Sequence, residues 1–320
     1  MAVMRKTFWC LAGFLVAGQA FAAPEQYRSL EHASNKAEAI SRQENIDLNS
    51  LSVVVYDQYS GETLLAKNPN LQTPIASITK LMTAVVTLDT RPNLDERITI
   101  NAQDVDRLKG TGSRLALGAV HTREQLLNLA LIASENRAAH ALGRTYPGGI
   151  EAFVSAMNRK ARQLGMRKTL FVDPTGLSSF NQSTAEDLVK LVDYAYANYP
   201  EIRQISATGE YSLGKQRVVV RTKKSKRRQA SKRVYYRNVG FVNTNRLTRQ
   251  EDWQIGLSKT GYINEAGHCL VMQAEISRRP VIIVLLDAQG KYGRLGDANR
   301  IKHWLEENSG QFNPPTSRGT

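Results

Sequence analysis

A serine and a lysine three residues apart, Ser77 and Lys80, have the side chains best suited to chemistry in this sequence. They lie in the segment Pro74–Leu88, whose apolar residues recur at helical spacing. Three residues along a helix place the hydroxyl and the amine on one side, one turn apart. Because Ser77 is expected in the first turn, free backbone N–H groups would lie beside it as donors for an oxyanion. The pair predicts an acylation centre, and the alternative is a polar edge on a buried helix.

Two short motifs further along the chain complement this pair. Ser134-Glu135-Asn136 is predicted in a turn between two helices, and Lys259-Thr260-Gly261 at the end of a strand. The segment Ser179-Phe180-Asn181 has the same Ser-x-Asn pattern, but it follows a Pro-Thr-Gly turn with no preceding helix. We therefore assign the second motif to Ser134 and Asn136.

The residue types of the first two motifs fit an acyl-transfer mechanism. Lys80 can take the proton of Ser77 only as a neutral amine, which burial and nearby positive charge favour. Ser134 can relay a proton between Lys80 and the leaving amine. Asn136 has a donor and an acceptor, which suits it to hold a substrate amide and the lysine in place. The predicted catalytic residues are Ser77, Lys80, Ser134 and Asn136.

The third motif is suited to binding the substrate. Lys259 and Thr260 can receive a carboxylate or another polar terminus, and Gly261 leaves room for the strand to pass close to the nucleophile. A peptide would add along this strand edge by backbone pairing. We expect the backbone N–H groups of Ser77 and Tyr262 to form the oxyanion hole. The predicted substrate-binding residues are Lys259, Thr260, Gly261 and Tyr262.

With these motifs in this order, the sequence resembles the low-molecular-mass penicillin-binding proteins, which are serine-type D-alanyl-D-alanine peptidases. The similarity extends from about residue 45 to residue 307, and within the family it is greatest for the D-alanyl-D-alanine endopeptidases. The segments that carry it are SITKLMTA at 77–84, SENRAA at 134–139, YPGG at 146–149, PTGLS at 174–178, KTGY at 259–262, AGHCLVM at 266–272 and DAQGKY at 287–292.

The resemblance implies a β-lactamase/transpeptidase-like fold and a periplasmic enzyme. Such an enzyme would acylate Ser77 with a D-alanyl group of peptidoglycan, release the amine and hydrolyse the acyl-enzyme. β-Lactams would acylate the same serine as covalent inhibitors. An endopeptidase would cut the D-alanyl–diaminopimelate cross-link, whereas a carboxypeptidase would remove a terminal D-alanine. Lys259 can bind a free carboxylate in either case, so both alternatives stay open.

Two other functions compete with a peptidase. A β-lactamase needs a base for fast deacylation, and we can assign no glutamate to that role. A catalytically idle wall-binding protein would have no chemical need for Ser77, Lys80, Ser134, Asn136 and Lys259 together. The histidines and cysteines show no paired metal-ligand spacing, so we expect no metal or other cofactor.

The start of the chain predicts export. A charged beginning, a short apolar run and an Ala-x-Ala site are typical of a secretory signal peptide, here cleaved after Ala22, and the alternative is an uncleaved anchor. Cys10 leaves with this peptide, so the remaining Cys269 cannot form an internal disulfide and is expected to be buried. The predicted organisation is signal peptide 1–22, polar leader 23–45, peptidase domain 46–308 and frayed tail 309–320.

Positive charge is concentrated in one segment. The formal net charge is +14, and the insertion Lys215–Arg237 contains eleven basic residues and no acid. One interpretation is a solvated hairpin or loop. The other is a weak contact with an anionic membrane surface or a cell-wall polymer. Because the chain is exported, we expect no nucleic-acid partner.

The order of predicted elements defines the fold class. A hairpin over Leu51–Lys67 is followed by a mainly helical block from 93 to 199, a three-stranded meander over Trp253–Ala288 and a closing helix over Leu295–Glu307. This order predicts an α/β (α+β) protein, with an antiparallel sheet flanked by helices and an all-helical subdomain. The mean hydropathy of −0.37 indicates a soluble protein. Only a short tail follows the closing helix, where the common carboxypeptidases of the family continue into an amphipathic helix, so we expect a soluble or loosely membrane-associated protein.

Overall fold

A five-stranded antiparallel sheet forms the centre of the fold, in the order β2 (Glu62–Lys67), β1 (Ser50–Asp57), β11 (Arg279–Ala288), β10 (Gly267–Ile276) and β9 (Gln254–Ile263). The computed structural model describes residues 46–221 and 232–310, so the predicted signal peptide, the leader 23–45 and residues 311–320 of the tail lie outside the described residues.

Seven helices of the described residues surround this sheet. They are α1 (Thr79–Asp89), α2 (Arg123–Ile132), α3 (Asn136–Arg144), α4 (Gly149–Gln163), α5 (Ala185–Asn198), α6 (Pro200–Ala207) and α7 (Gly293–Glu307). Helices α1 to α5 form a block between β2 and the last three strands of the sheet. The short strands of the described residues are β3 (Thr73–Pro74), β4 (Arg97–Thr99), β5 (Val120–Thr122) and β6 (Gln182–Ser183).

Successive side chains of the central strands pack into two hydrophobic cores, one on each face of the sheet. Val54 and Val284, which are paired across β1 and β11, face the core shared with the helical block. Their neighbours Val55 and Ile283 face the opposite core, which α7 covers with Trp304. Successive side chains of a strand point to opposite faces, so the almost continuous apolar runs of these strands supply both cores. An antiparallel sheet between helices and a helical block confirms the predicted fold class.

Local signals predicted several element ends correctly. The pattern Thr122-x-x-Gln125 predicts a capping box at the start of α2, and the structure contains it: the Thr122 hydroxyl accepts from the Gln125 N–H and the Gln125 side chain accepts from the Thr122 N–H. The segment Ser183-Thr184-Ala185-Glu186 predicts the start of α5, where Thr184 is the N-cap because its hydroxyl accepts from the Asp187 N–H. Helix α6 was not predicted; its Pro200 stands at the start, where a missing N–H has no helical partner to lose.

The described residues of the basic insertion lie in two paired antiparallel strands. Strands β7 (Glu210–Arg221) and β8 (Lys232–Val242) pair from Glu210–Val242 to Arg221–Lys232. The residues between them lie outside the described part of the chain. Within the described ranges, no helix has both the length and the apolar character needed to cross a bilayer.

Candidate active site

Ser77 lies in a short 3-10 turn, Ala76–Ile78, directly before α1. The sequence predicted it in the first turn of the α-helix, and this was wrong in detail. The reason is the backbone of Ala76, whose φ of 46° is in the left-handed region and cannot continue a right-handed helix. Pro74 pairs with Gln182 in the short β3–β6 ladder instead of starting the helix. The turn leaves Ser77 partly exposed while both its neighbours are buried.

The amine of Lys80 lies at the centre of a set of oxygen acceptors. Its Nζ is 2.8 Å from Ser77 Oγ, 2.7 Å from Asn136 Oδ1 and 2.6 Å from the backbone oxygen of Thr175. The side chain is 0% exposed. The predicted pairing of the serine and the lysine is therefore present, and Asn136 contacts the lysine as predicted.

The turn between α2 and α3 carries the second motif. Ser134 has a φ of 57°, so the chain reverses sharply there. The buried Glu135 accepts hydrogen bonds from Ser113 Oγ at 2.8 Å and from the Arg114 N–H at 2.9 Å, which hold the turn in place. Asn136 then starts α3 and also donates from Nδ2 to Thr111 Oγ1 at 2.9 Å.

Strand β9 brings the third motif to the same cleft. Lys259, which is 1% exposed, donates from Nζ to Ser134 Oγ at 3.0 Å and to the Thr260 backbone oxygen at 2.9 Å. Thr260 donates to the Thr244 hydroxyl at 2.7 Å. The second and third motifs therefore meet through Ser134 and Lys259, which are 125 positions apart in the chain.

Gly261 allows β9 to pass directly beside the nucleophile. A Cβ added at Gly261 would lie 2.7 Å from the Ile75 backbone oxygen and 3.2 Å from the Ser77 nitrogen. Any larger residue would push the strand away from the serine. The next residue, Tyr262, is 53% exposed at the edge of the sheet and stacks on His268 with ring centroids 4.4 Å apart. Cys269, beside His268, is buried as predicted.

The electrostatic surroundings favour a neutral amine on Lys80. Burial lowers its pKa from the ordinary value to about 7, against the opposing charges of Asp173, Glu135 and Asp106. Near neutral pH a large fraction of this lysine is then unprotonated and able to accept a proton. Burial also lowers the pKa of Lys259 well below its ordinary value, and the charges of Lys80 and Arg294 add to this effect.

Sequence reasoning did not identify two groups that complete the site. The Thr175 carbonyl binds Lys80, and the turn that carries it is held by Asp173, whose Oδ1 accepts from the Thr175 N–H at 2.6 Å. Arg294, on α7, donates to the backbone oxygen of Gly261 at 2.8 Å and supports β9 beside the serine. The Asp-Pro-Thr-Gly pattern indicates a turn, but the sequence gives no signal of which side chain a backbone carbonyl in that turn will contact.

The alternative Ser-x-Asn segment lies in the wall of that turn. Asn181 donates from Nδ2 to Asp173 Oδ2 at 2.6 Å, and its Oδ1 accepts from the Val172 N–H at 2.8 Å. The Asn181 side chain is fully buried, so its contacts support the loop that places Thr175. The Lys80 amine instead binds Asn136.

The sheet, the helical block and the three motifs together define a serine acyl-transfer enzyme of the penicillin-binding class. The sequence profile of the Peptidase_S11 family, D-alanyl-D-alanine carboxypeptidase, matches residues 37–290, and the chain belongs to this family of hydrolases. It is 46% identical over 260 residues to the D-alanyl-D-alanine endopeptidase of Pseudomonas aeruginosa, covering 81% of this chain and 78% of that protein.

Two further relatives support the same assignment. The D-alanyl-D-alanine endopeptidase of Escherichia coli K12 is 43% identical over 260 residues, again covering 81% of this chain and 78% of that protein. Among solved structures, penicillin-binding protein D2 from Listeria monocytogenes in its cefotaxime-bound form superimposes with a TM-score of 0.65. That structure is 26% identical and covers 81% of this chain and 98% of its own. The resemblance to D-alanyl-D-alanine peptidases, and within them to endopeptidases, is confirmed.

Proposed function

We propose that this protein is a serine D,D-endopeptidase that hydrolyses D-alanyl cross-links of peptidoglycan through an acyl-enzyme on Ser77. The observation that carries the proposal is the Lys80 amine, 2.8 Å from the Ser77 hydroxyl, with a pKa lowered to about 7. A buried neutral amine at this distance is a general base for the hydroxyl. The names of the two endopeptidase relatives support the choice of substrate.

Acylation begins when Ser77 Oγ attacks the carbonyl carbon of the D-alanyl residue and Lys80 takes the hydroxyl proton. The oxyanion is held by the backbone N–H groups of Ser77 and Tyr262, a pair supported by the close passage of β9 at Gly261. The C–N bond then breaks, and the leaving amine receives a proton that Ser134 relays from Lys80. Water hydrolyses the resulting ester, with Lys80 again as the base, and regenerates Ser77.

Binding of the substrate uses the edge strand β9 and the groups beside it. The peptide backbone pairs along β9, which is the outermost strand of the sheet. Lys259 and Thr260 receive a carboxylate of the substrate, and Asn136 holds a substrate amide while it positions Lys80. A β-lactam fits the same groups because its strained amide and carboxylate occupy the place of the D-alanyl peptide, which makes it a covalent inhibitor here too.

Labelling with a fluorescent penicillin tests the acyl-enzyme. The purified protein should acquire a covalent label that Ser77→Ala abolishes. Ser179→Ala, in the alternative Ser-x-Asn segment, is the matched control and should retain the label. A labelled Ser77→Ala protein, or an unlabelled wild type, would refute the mechanism.

The choice between endopeptidase and carboxypeptidase needs defined substrates. We expect purified cross-linked muropeptide dimers to be converted to monomers, as followed by chromatography and mass spectrometry. Loss of the terminal D-alanine from monomeric pentapeptide, with dimers untouched, would overturn the endopeptidase assignment in favour of a carboxypeptidase. Rapid turnover of a chromogenic β-lactam would instead favour a β-lactamase.

The predicted signal peptide supports a proposal for the cellular location. We propose that the chain is exported, cleaved after Ala22 and active in the periplasm, where peptidoglycan is accessible. The eleven basic residues of the insertion Lys215–Arg237 further support weak electrostatic contact with an anionic surface. Co-sedimentation at low salt with phosphatidylglycerol vesicles, phosphatidylcholine vesicles and purified cell walls should separate lipid from polymer binding. No binding to any of them would remove this role.

A further inference from the structure

Two adjoining cavities lie at the end of α1 that is remote from Ser77. The first, of about 370 Å³, has Thr87 in its wall, and the second, of about 510 Å³, has Leu88. Pro92 lines both, and we call the two cavities together the Pro92 groove. Ser77 precedes the 11 residues of α1, which span about 16 Å at the usual rise of a helix, so the groove lies outside the catalytic cleft.

A turn with a fixed backbone separates the two cavities. The Arg91 N–H donates to the Leu88 backbone oxygen at 2.9 Å, and Arg91 has a φ of 47°, a conformation that few residues other than glycine adopt. Pro92 follows with a φ restricted by its ring, and Asn93 Oδ1 accepts from the Asp95 N–H at 3.0 Å. The groove is therefore preformed, and a ligand would bind without having to order this segment.

A buried arginine forms the inner wall of the first cavity. Arg123 is 5% exposed, and it donates from Nη1 to Thr145 Oγ1 at 3.1 Å and from Nη2 to the Glu96 carboxylate at 2.5 Å. Its Nε is buried and has no hydrogen-bond partner among the described residues. An unpaired buried donor is costly, so an acceptor oxygen placed in the cavity would gain by satisfying it.

The segment YPGG at 146–149, which carries part of the family resemblance, supplies the opposite wall of the first cavity. Gly148 has a φ of 88°, and a Cβ added there would lie 2.8 Å from the Ala152 Cβ, so only glycine allows this turn into α4. The turn presents Tyr146 and Pro147 to the cavity. The Tyr146 ring is fixed by edge contact with Phe153, with ring centroids 5.2 Å apart.

The second cavity has a wall of tyrosines around a carboxylate. Asp89 pairs with Lys160 at 2.9 Å and accepts a hydrogen bond from the Tyr199 hydroxyl. The rings of Tyr194 and Tyr199 meet edge to face, with centroids 5.9 Å apart. Asn198 donates from Nδ2 to the Tyr194 backbone oxygen at 2.8 Å. These contacts hold the rings in place before any ligand arrives.

The charges around the groove balance. In the first cavity the one acidic and the one basic residue of the wall pair with each other at 2.5 Å. In the second, Asp89 is balanced by Lys160. Arg91 and Glu201 add one charge of each sign to this wall. A ligand with a net charge would gain little attraction here, so the groove favours a neutral ligand with many hydrogen-bonding groups.

The remaining polar surface of the groove suits a carbohydrate. Tyrosine rings present an apolar face beside a polar edge, and asparagine amides both donate and accept. A sugar ring has matching parts, because its C–H groups form an apolar face and its hydroxyl and acetamido groups donate and accept. Two cavities that adjoin at a single residue suit consecutive units of a linear chain. The groove therefore has the chemistry and the layout for a neutral polysaccharide.

We propose that the Pro92 groove binds the glycan strand of peptidoglycan, at a site separate from the cleft that cuts the peptide. The inference rests on the proposed function and names the part of the polymer that a second site holds. The sugar backbone carries no net charge while its lactyl groups are in amide linkage to peptides, which fits the balanced charges of the groove. A strand held there raises the effective concentration of its peptides at Ser77.

A neutral sugar probe tests the site directly. The β-1,4-linked hexamer of N-acetylglucosamine should bind wild type measurably in isothermal titration calorimetry, and the dimer should bind more weakly because it fills one cavity. Because the hexamer is uncharged, the basic insertion has no electrostatic attraction for it. Thr90→Trp fills the first cavity and Asn198→Trp the second, and each should weaken hexamer binding by about tenfold or more.

The matched control is Asn128→Trp on α2. Asn128 donates from Nδ2 to the Glu124 backbone oxygen at 2.9 Å, as Asn198 does to Tyr194, but it lines neither cavity. This variant should bind the hexamer as wild type does. Thr90 and Asn198 are both exposed, and retained penicillin labelling shows that each variant folds; if one of them fails to fold, the other decides.

Activity on two substrates links the groove to the polymer. Release of peptides from intact peptidoglycan sacculi should fall about tenfold in Thr90→Trp and Asn198→Trp, while cleavage of soluble muropeptide dimers stays within about twofold of wild type. No binding of the hexamer by wild type, or equal binding by wild type and both filled variants, would overturn the glycan site. Wild type that binds the hexamer but neither reacts with penicillin nor cleaves dimers would overturn the proposed function and leave the sugar site standing.

Discussion

The surroundings of Lys80 and Lys259 differ, although both lysines are almost fully buried in one cleft. Lys80 contacts three oxygen acceptors and lies near the carboxylates of Asp173 and Glu135. Lys259 lies instead near the positive charges of Lys80 and Arg294. Burial lowers both pKa values, but the neighbouring charges oppose it at Lys80 and reinforce it at Lys259.

This difference explains how two similar side chains can have separate roles. Lys80 can exchange a proton near neutral pH, because its pKa lies at about 7. The charges that lower the pKa of Lys259 are those of Lys80 and Arg294, which are both positive, so an incoming substrate carboxylate would be a counter-charge for this group of cations. Burial alone therefore does not determine the role of a lysine; the sign of the surrounding charge does.

The largest expected effect tests the base. Lys80→Met should lower the rate of acylation by fluorescent penicillin by about 10³–10⁴-fold, because the serine loses the group that accepts its proton. Lys67→Met, at a lysine of β2 that donates to the Leu48 backbone oxygen, is the control and should keep the rate. A Lys80→Met protein that reacts within tenfold of wild type would show that Lys80 is not the base, and the proposed difference in role between Lys80 and Lys259 would be wrong.

A smaller effect tests the carboxylate site. Lys259→Gln should lower kcat/KM by about 10–100-fold for a peptide with a free terminal carboxylate, because a charge-assisted contact is lost. The loss should be clearly smaller for the same peptide with an amidated terminus. If both peptides lose activity equally, Lys259 acts through Ser134 and not through the carboxylate.

The pH dependence tests the state of Lys80 directly. Because the proposed base is the neutral amine of Lys80, the rate of penicillin acylation should increase with pH through about 7 and level off above it. Below that midpoint each pH unit should cost about tenfold in rate. Stopped-flow measurements from acid to mildly alkaline pH would show this increase in the acylation rate. A rate that falls as pH rises through 7 would contradict the role of Lys80 as the base.

The smallest effect tests the carboxylates near Lys80. Glu135→Gln removes one negative charge that raises the Lys80 pKa, so the midpoint of the pH profile should move down by about half a unit. The amide oxygen can still accept from Ser113 and Arg114, which preserves the turn. Glu62→Gln, at an exposed position on β2, should leave the midpoint in place. An upward shift in Glu135→Gln would be inconsistent with the electrostatic argument.

Much of the fold could be predicted from local sequence signals. The meander strands, the β1–β2 hairpin and the capping box at Thr122 all lie within a few residues of their predicted positions. Their alternation and capping patterns depend on neighbours in the chain, which the sequence displays directly. Helix α6 was not predicted. The 3-10 turn at Ser77 was not predicted either, because the sequence gives no signal of the positive φ of Ala76.

The types and order of the reactive side chains were determined by the sequence alone: Ser77 and Lys80 on one turn, then Ser134 and Asn136, then Lys259. Only the tertiary structure decided which distant groups they meet. The Thr175 carbonyl reaches Lys80 across 95 positions of the chain. The physical reason is that a lysine pKa depends on burial and on charges from separate loops, and packing of the whole chain sets both.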